Sequence, residues 1–298
     1  MHVFVTGASG WIGSATVDEL LSHGYDVTGL ARSDSAAHAL EAKGATALRG
    51  DLDDLASLQR GATDADAVIH LANKHDWANP AESNRAERAA VQTLGDALAG
   101  SDRPFLLASG IAGIAAGRPS TENDPSPFSG PEAPRGGTEN LAFEFIERGV
   151  KSISLRFAPT VHGDGDHGFI SAIVGAARSK GVSGCVGDGS TGWAAVHRSD
   201  AARMVRLGLE KAPAGSRLHA VGEGSVLSRD IAEAIGRGLD IPLASVAPEN
   251  AFEHFGFIGN FFALDMSSSS AITQELLGWT PVGPTLREDL ESGSYFRG

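Results

Sequence analysis

Cysteine is almost absent from this chain: of its 298 residues only Cys185 carries a thiol. A single thiol forms no intramolecular disulfide, which suits a reducing cytoplasm, the expected location. No C-x-x-C or H-E-x-x-H occurs and the ten histidines are scattered, so no metal site is expected. Basic residues are also scarce. Lys and Arg number 24 against 37 Asp and Glu, a formal net charge of −13, with a pI near 5.2. Nucleic acid and anionic membrane surfaces find no electrostatic attraction here, and neither is an expected partner. No apolar run approaches membrane-spanning length, and the first residues already read as a strand rather than as a signal peptide. Tyrosine is the last shortage. Only Tyr25 and Tyr295 occur, so the middle of the chain offers no phenolic acid.

What is present starts at the first residue. Residues 1–13 read MHVFVTGASGWIG, a short apolar β-branched run followed by glycines at 7, 10 and 13. Val17, Leu20, Leu21 and Gly24 then continue at helical spacing. Strand, glycine turn and helix in that order make a dinucleotide site. Gly7 permits the tight turn, Gly10 lets backbone amides approach a pyrophosphate, and Gly13 lets helix and strand pack closely. Ser9, Trp11 and Ile12 complete that turn, and the helix dipole adds a favourable field for phosphate. A second strand runs to Ala31 and ends at Arg32-Ser33, nineteen residues after Gly13. An acidic residue there hydrogen-bonds the ribose hydroxyl of NAD; an arginine pairs with the 2′-phosphate of NADP. The expected cofactor is NADP(H).

Strand and helix patterns keep alternating: a helix over 33–43, a strand over 45–49, a helix over 53–60 and a buried strand over 67–72. A long helix over 81–100 and a strand from Pro104 to Ser109 follow. Such alternation predicts an α/β fold, a Rossmann-type doubly wound parallel sheet. Residues 117–137 are rich in Pro, Ser, Gly and Glu and read as a long functional loop. A helix over 137–148 and a strand over 152–157 resume the pattern. Residues 1–159 are expected to form the cofactor domain and 160–298 mainly a smaller C-terminal α/β substrate lobe. Strands near 182–186 and 217–221 are expected to return to the main sheet.

These pieces together resemble the extended short-chain dehydrogenase/reductases, the group of nucleotide-sugar epimerases and dehydratases. The resemblance rests on TGASGWIG at 6–13, Asp51-Leu52, His70-Leu71-Ala72, LRFAPTVHG at 155–163, VHRSDAA at 196–202 and LGWTP at 277–281. It implies that Asp51 and Leu52 contact the adenine, and that Leu71, Ala72 and Asn73 border the cofactor ribose. Pro159 and Val161 would meet the nicotinamide carboxamide. It also implies a homodimer built on the helices near 81–100 and 137–148, where Ala89, Ala90, Thr93 and Ala97 allow close approach.

The departure from that family lies in its acid, a Tyr four residues before a Lys. Neither tyrosine stands before a lysine at that spacing, and alignment places Arg135 and Glu139 there, as in an atypical branch. Arginine donates no proton near neutrality but stabilises an oxyanion by charge. Four apart on a helix, the two also suit a surface ion pair. Ser109, at the end of its strand, is a candidate to orient a carbonyl. His75 beside Asp76 offers a titratable imidazole at a ligand-binding sheet edge, against the alternative of a solvated loop. His162 either approaches substrate or makes a structural hydrogen bond. The phenylalanine-rich segment 252–262, which includes Phe257, either walls an apolar pocket together with Trp193 and Trp279 or packs a core; Trp77, next to Asp76, is a further residue expected to meet substrate. Reduction of a small, apolar carbonyl or related C=X compound by NADP(H) is the expected function. A non-catalytic NADP(H)-binding redox sensor is the alternative. A nucleotide-sugar enzyme fits less well, since the second lobe shows little basic clustering for a diphosphate.

Overall fold

The computed structural model describes residues 1–297. Its first half alternates without a break through β1 (His2–Thr6), α1 (Trp11–Ser22), β2 (Asp26–Ala31), α2 (Asp34–Ala42) and β3 (Thr46–Arg49). It continues through α3 (Leu55–Asp64), β4 (Ala67–His70), α4 (Pro80–Leu98) and β5 (Pro104–Gly110). Beyond the long loop lie α5 (Thr138–Glu144), β6 (Lys151–Phe157), β7 (Thr160–His162), α6 (Phe169–Lys180) and β8 (Ser183–Val186). Then come β9 (Gly192–His197), α7 (Arg198–Lys211), β10 (Arg217–Ala220), β11 (Glu223–Leu227), α8 (Ser228–Leu239) and β12 (Leu243–Val246). Four short helices close the chain: α9 (Ala251–Phe255), α10 (Gly259–Phe262), α11 (Ala271–Leu277) and α12 (Leu286–Glu291).

Seven strands form one sheet in the order β10-β6-β5-β4-β1-β2-β3, and every pairing in it is parallel. Parallel neighbours require helical crossovers, which cover both faces with apolar side chains. On one face Val3, Val5 and Ile69 pack with Val17 and Leu20 of α1 and Val205 and Leu209 of α7. On the other, Phe4, Val68 and Leu107 pack with Leu58 of α3, Val91 and Leu94 of α4, and Leu141 of α5. The result is a Rossmann-type sheet. Strand order reverses between β1 and β4, so a crevice opens at their C-terminal ends, the place where open α/β sheets take ligands.

The second lobe has its own core, in which Ile173, Val174, Trp193, Ile235, Phe255 and Phe262 meet. It holds the three-stranded sheet β11-β9-β7 and the pair β12-β8. One expectation is corrected here. β8, the strand near 182–186, does not join the main sheet but pairs in parallel with β12. Its residues are small (Ser-Gly-Cys-Val), and Gly184 lies so close to Phe255 and Val246 that a Cβ there would meet both within 2.9 Å. β10 does lie in the main sheet, beside β6. No helix among the described residues is long and apolar enough to cross a membrane.

Candidate active site

The floor of the crevice is set by backbone sterics. Gly7 has φ of +67°, and a Cβ on it would stand 2.7 Å from the Ala72 nitrogen and the Leu71 carbonyl carbon. A Cβ on Gly13 would come within 1.9 Å of the Gly7 oxygen. Any larger residue at either position displaces the turn. At Gly10 a Cβ would meet only the Gly7 oxygen, at 3.1 Å, which leaves an open cradle. The first turn of α1 has no side-chain cap and no acidic residue, so its free amides and the positive helix end are open to an anion. These features fit a dinucleotide pyrophosphate.

The other residues expected to hold the cofactor are placed as follows. Arg32 is exposed at the C-terminal end of β2 and pairs with no side chain among the described residues, while Ser33 Oγ accepts the Ala36 amide at 3.2 Å. One Asp51 oxygen accepts the amides of Asp53 and Asp54 at 2.8 and 3.0 Å, and Leu52 is buried beside it. Trp11 Nε1 donates to the Val161 oxygen at 2.7 Å, which ties the glycine turn to the strand after Pro159. The Arg198 guanidinium lies 4.3 Å above the Trp11 ring.

At the reactive edge Arg135 and Glu139 are not partners, and each has gone to a separate network. Glu139 is buried and no surface pair forms. One oxygen accepts Arg156 Nη2 at 2.5 Å, and the other accepts Arg156 Nε and Ser154 Oγ, both at 2.9 Å. Burial by itself would raise this carboxyl; the Arg156 hydrogen bonds and charge, helped by Ser154 and Ser109, outweigh it and hold the pKa below the ordinary glutamate value. Ser109, half-buried at the end of β5, lies near enough to Glu139 to contribute to that lowering. Arg156 also donates to His219 Nε2 at 3.3 Å. Glu139 is a buried anchor beneath the site.

Arg135 precedes α5 in a left-handed turn: φ is +53° at Arg135, +62° at Gly136 and +61° at Gly137. Arg88 Nη1 braces this turn through the Gly136 oxygen at 2.9 Å. Arg135 Nη2 donates to Glu87 Oε1 at 2.6 Å, and its buried Nε has no hydrogen-bond partner. Glu87, on α4, also accepts Asn73 Nδ2 at 3.0 Å. Asn73 Oδ1 in turn accepts the His75 amide at 2.8 Å. His75 stands in the left-handed region as well, with φ of +51°. His75 lies on an exposed loop; partial desolvation by its neighbours, and next the Arg135 charge, lower its pKa from the ordinary imidazole value, with Glu87 acting in the opposite direction.

Asp76 is not the carboxylate partner of His75. It caps its own turn, accepting the amides of Ala78 and Asn79 at 3.1 and 3.2 Å. Trp77, 51 % exposed, begins an aromatic wall. Its ring stacks on Phe257 at 5.7 Å and meets Phe261 edge-on at 5.7 Å, with Phe169 at 6.4 Å. Phe257 is itself 40 % exposed, so the wall presents apolar surface to the crevice. Trp193 does not line it. Fully buried, it packs on Phe262 and Phe169 and donates Nε1 to the Leu264 oxygen at 3.1 Å. His162 is buried too, bound through Nδ1 to Asp289 at 2.6 Å; this is the structural alternative, with a carboxylate as acceptor.

Glu87 and Phe169 were missed by sequence reasoning. A signal existed for Glu87: it falls in register with Val91, Leu94 and Leu98 on the buried stripe of α4, where a carboxylate has no business without a partner. Phe169 carried none, since its contact with Trp77 joins segments far apart in the chain.

Against this geometry stand three comparisons. The model of the NAD-dependent epimerase/dehydratase family matches residues 3–221. An uncharacterised Schizosaccharomyces pombe protein is 43% identical over 297 residues, covering 99% of this chain and 100% of its own length. The 4-hydroxy-2-methyl-3-oxo-4-farnesyl-3,4-dihydroquinoline-1-oxide ketoreductase of Stigmatella aurantiaca is 30% identical over 188 residues, 60% of this chain and 56% of that one. Among solved structures, a dTDP-glucose 4,6-dehydratase of Streptomyces venezuelae with NAD bound superimposes with a TM-score of 0.79 at 21% identity, covering 100% and 97% of the two chains.

Proposed function

The chain belongs to the NAD-dependent epimerase/dehydratase family, and from that membership we propose that it is an NADP(H)-dependent oxidoreductase reducing a small, apolar carbonyl compound. The observation that carries the reading is the open aromatic wall of Trp77, Phe257, Phe261 and Phe169 standing beside His75 at the β4 edge. Apolar surface of that kind recognises an apolar substrate. The ketoreductase relative supports the same reaction class. Unpaired Arg32 supports NADP(H) over NAD(H).

NADPH, when bound, supplies the hydride. The chain supplies the rest. Arg135 donates a hydrogen bond to the carbonyl oxygen and stabilises the charge that develops there. His75 gives that oxygen its proton. Its lowered pKa makes the imidazolium a strong acid but a minor species near neutrality, so reduction speeds up as the pH falls. Substrate reaches both groups along the aromatic wall.

The test is NADPH consumption across a panel of apolar ketones and aldehydes, run beside NADH. Turnover with NADPH on at least one member is expected. Tight NADPH binding without turnover on any member would instead favour a redox sensor.

A further inference from the structure

We propose that Glu87 is a positioning residue whose one buried carboxylate holds the guanidinium of Arg135 and, through Asn73, the backbone turn that carries His75. The inference rests on the reading that these two side chains meet the reacting carbonyl. Glu87 is 1 % exposed and lies on the apolar stripe of α4. A carboxylate in such a place is retained only by partners that satisfy it. Here they are Arg135 Nη2 on one oxygen and Asn73 Nδ2 on the other. His70 Nε2, buried and without a hydrogen-bond partner, stands 3.9 Å from the first oxygen.

Both arms end at a strained backbone. Only four described non-glycine residues have positive φ: His75, Arg135, Asp102 and Asp240. Side chains adopt that region reluctantly and stay there when their surroundings over-determine it. Asp240 caps the end of α8 and Asp102 turns the chain between α4 and β5. His75 and Arg135 sit 60 residues apart in sequence yet are joined through a single carboxylate, one through its guanidinium and the other through Asn73. Glu87 grips the Nη2 end of Arg135, and the partnerless Nε remains a donor without an acceptor inside the protein. Around His75 the charged or titratable groups are Arg135, Glu87 and His167. His167 belongs to the β7–α6 loop and packs edge-on against Trp11.

Glu87→Gln in the full chain with NADPH bound is the first test. Glutamine keeps an acceptor for Asn73 and removes the negative charge that faces Arg135. NADPH affinity should stay essentially unchanged while carbonyl turnover falls roughly 10–100-fold, the loss typical of residues that orient another functional side chain. KM should move less than kcat. The double variant Glu87→Gln/Arg135→Gln should be no slower than Arg135→Gln alone, because Glu87→Gln leaves the Asn73 arm in place and the charge it removes acts through Arg135. Fully additive losses would overturn the proposal. A readout free of the reaction is the His75 imidazole titration followed by NMR. Its midpoint should fall in Glu87→Gln and rise in Arg135→Gln. An unmoved midpoint in both overturns the positioning role, whether or not the wild type reduces any carbonyl. Should Glu87→Gln fold poorly, Asn73→Ala severs the His75 arm alone. It should slow turnover and shift the His75 signals; unchanged His75 signals would overturn the proposal equally.

Discussion

The glycine floor and the reactive edge of the crevice lie side by side, yet they are held by different physics. On the floor, Gly7 and Gly13 are demanded by contacts of 2.7 and 1.9 Å that any Cβ would make. Backbone fixes that shape and side-chain chemistry hardly enters. At the edge, Arg135 and Glu139 have separated. Arg135 goes up to Glu87, and Glu139 goes down to Arg156. The edge is thus a pair of charge networks, one open to the crevice and one sealed beneath it. A cofactor site built on sterics tolerates no substitution but survives a change of chemistry; a site built on ion pairs can be rewired while the floor stays put.

The largest expected effect is on the sealed network. Arg156→Ala takes the bidentate partner from the buried Glu139 carboxylate, leaving it Ser154 Oγ at 2.9 Å and Arg217 Nε at 3.3 Å, and should cost about 3 kcal/mol of stability in a denaturant titration. Its pH dependence follows from the depressed Glu139 pKa. The stabilisation is complete above the ordinary glutamate range, near 4.3, and is lost as the pH falls through the lower folded value. In the variant that depression is gone, so the stability gap between the two proteins should narrow on acidification. A gap independent of pH would break the claim that the anchor is electrostatic.

Gly13→Ala attacks the floor instead. Overpacking against the Gly7 carbonyl should cost roughly 3 kcal/mol, read as loss of cofactor binding with the far side of the molecule still folded. Wild-type NADPH affinity in that variant would show the turn to be adaptable. A smaller effect is expected at Arg32. Arg32→Ala should weaken NADPH binding by about 1.5–3 kcal/mol, ten- to hundredfold, and leave NADH unaffected; equal losses for both cofactors would contradict a 2′-phosphate contact. Smallest is Trp77→Ala, which should raise KM for an apolar substrate roughly fivefold, about 1 kcal/mol, without changing NADPH affinity.

The contrast also explains what could be read from the sequence. Glycine spacing, apolar runs and strand–helix alternation record local sterics, so the first half and its cofactor turn were legible up to Ser109. Ion-pair partners leave no such record. Arg135 lay four residues from Glu139 and invited a helical pair, yet its partner is Glu87, 48 residues earlier. Arg156 sits inside an apolar strand and only the fold brings Glu139 and His219 to it. Trp193 and Phe257 read alike as aromatic residues, but one is buried behind the wall and the other forms it. Tertiary position separated them, and neither composition nor period encodes that.

The proposed proton transfer is the point on which the account stands most directly, and the turnover of NADPH with a saturating carbonyl substrate against pH measures it. The wild-type rate should decline as the pH rises through a midpoint below 6.5, the ordinary histidine value that the crevice lowers. His75→Ala should lose about 10²–10⁴ in rate at the acidic end, as expected for removal of a general acid, and its profile should be flat. Unchanged turnover with an unaltered profile in His75→Ala would contradict the account and leave water as the proton source.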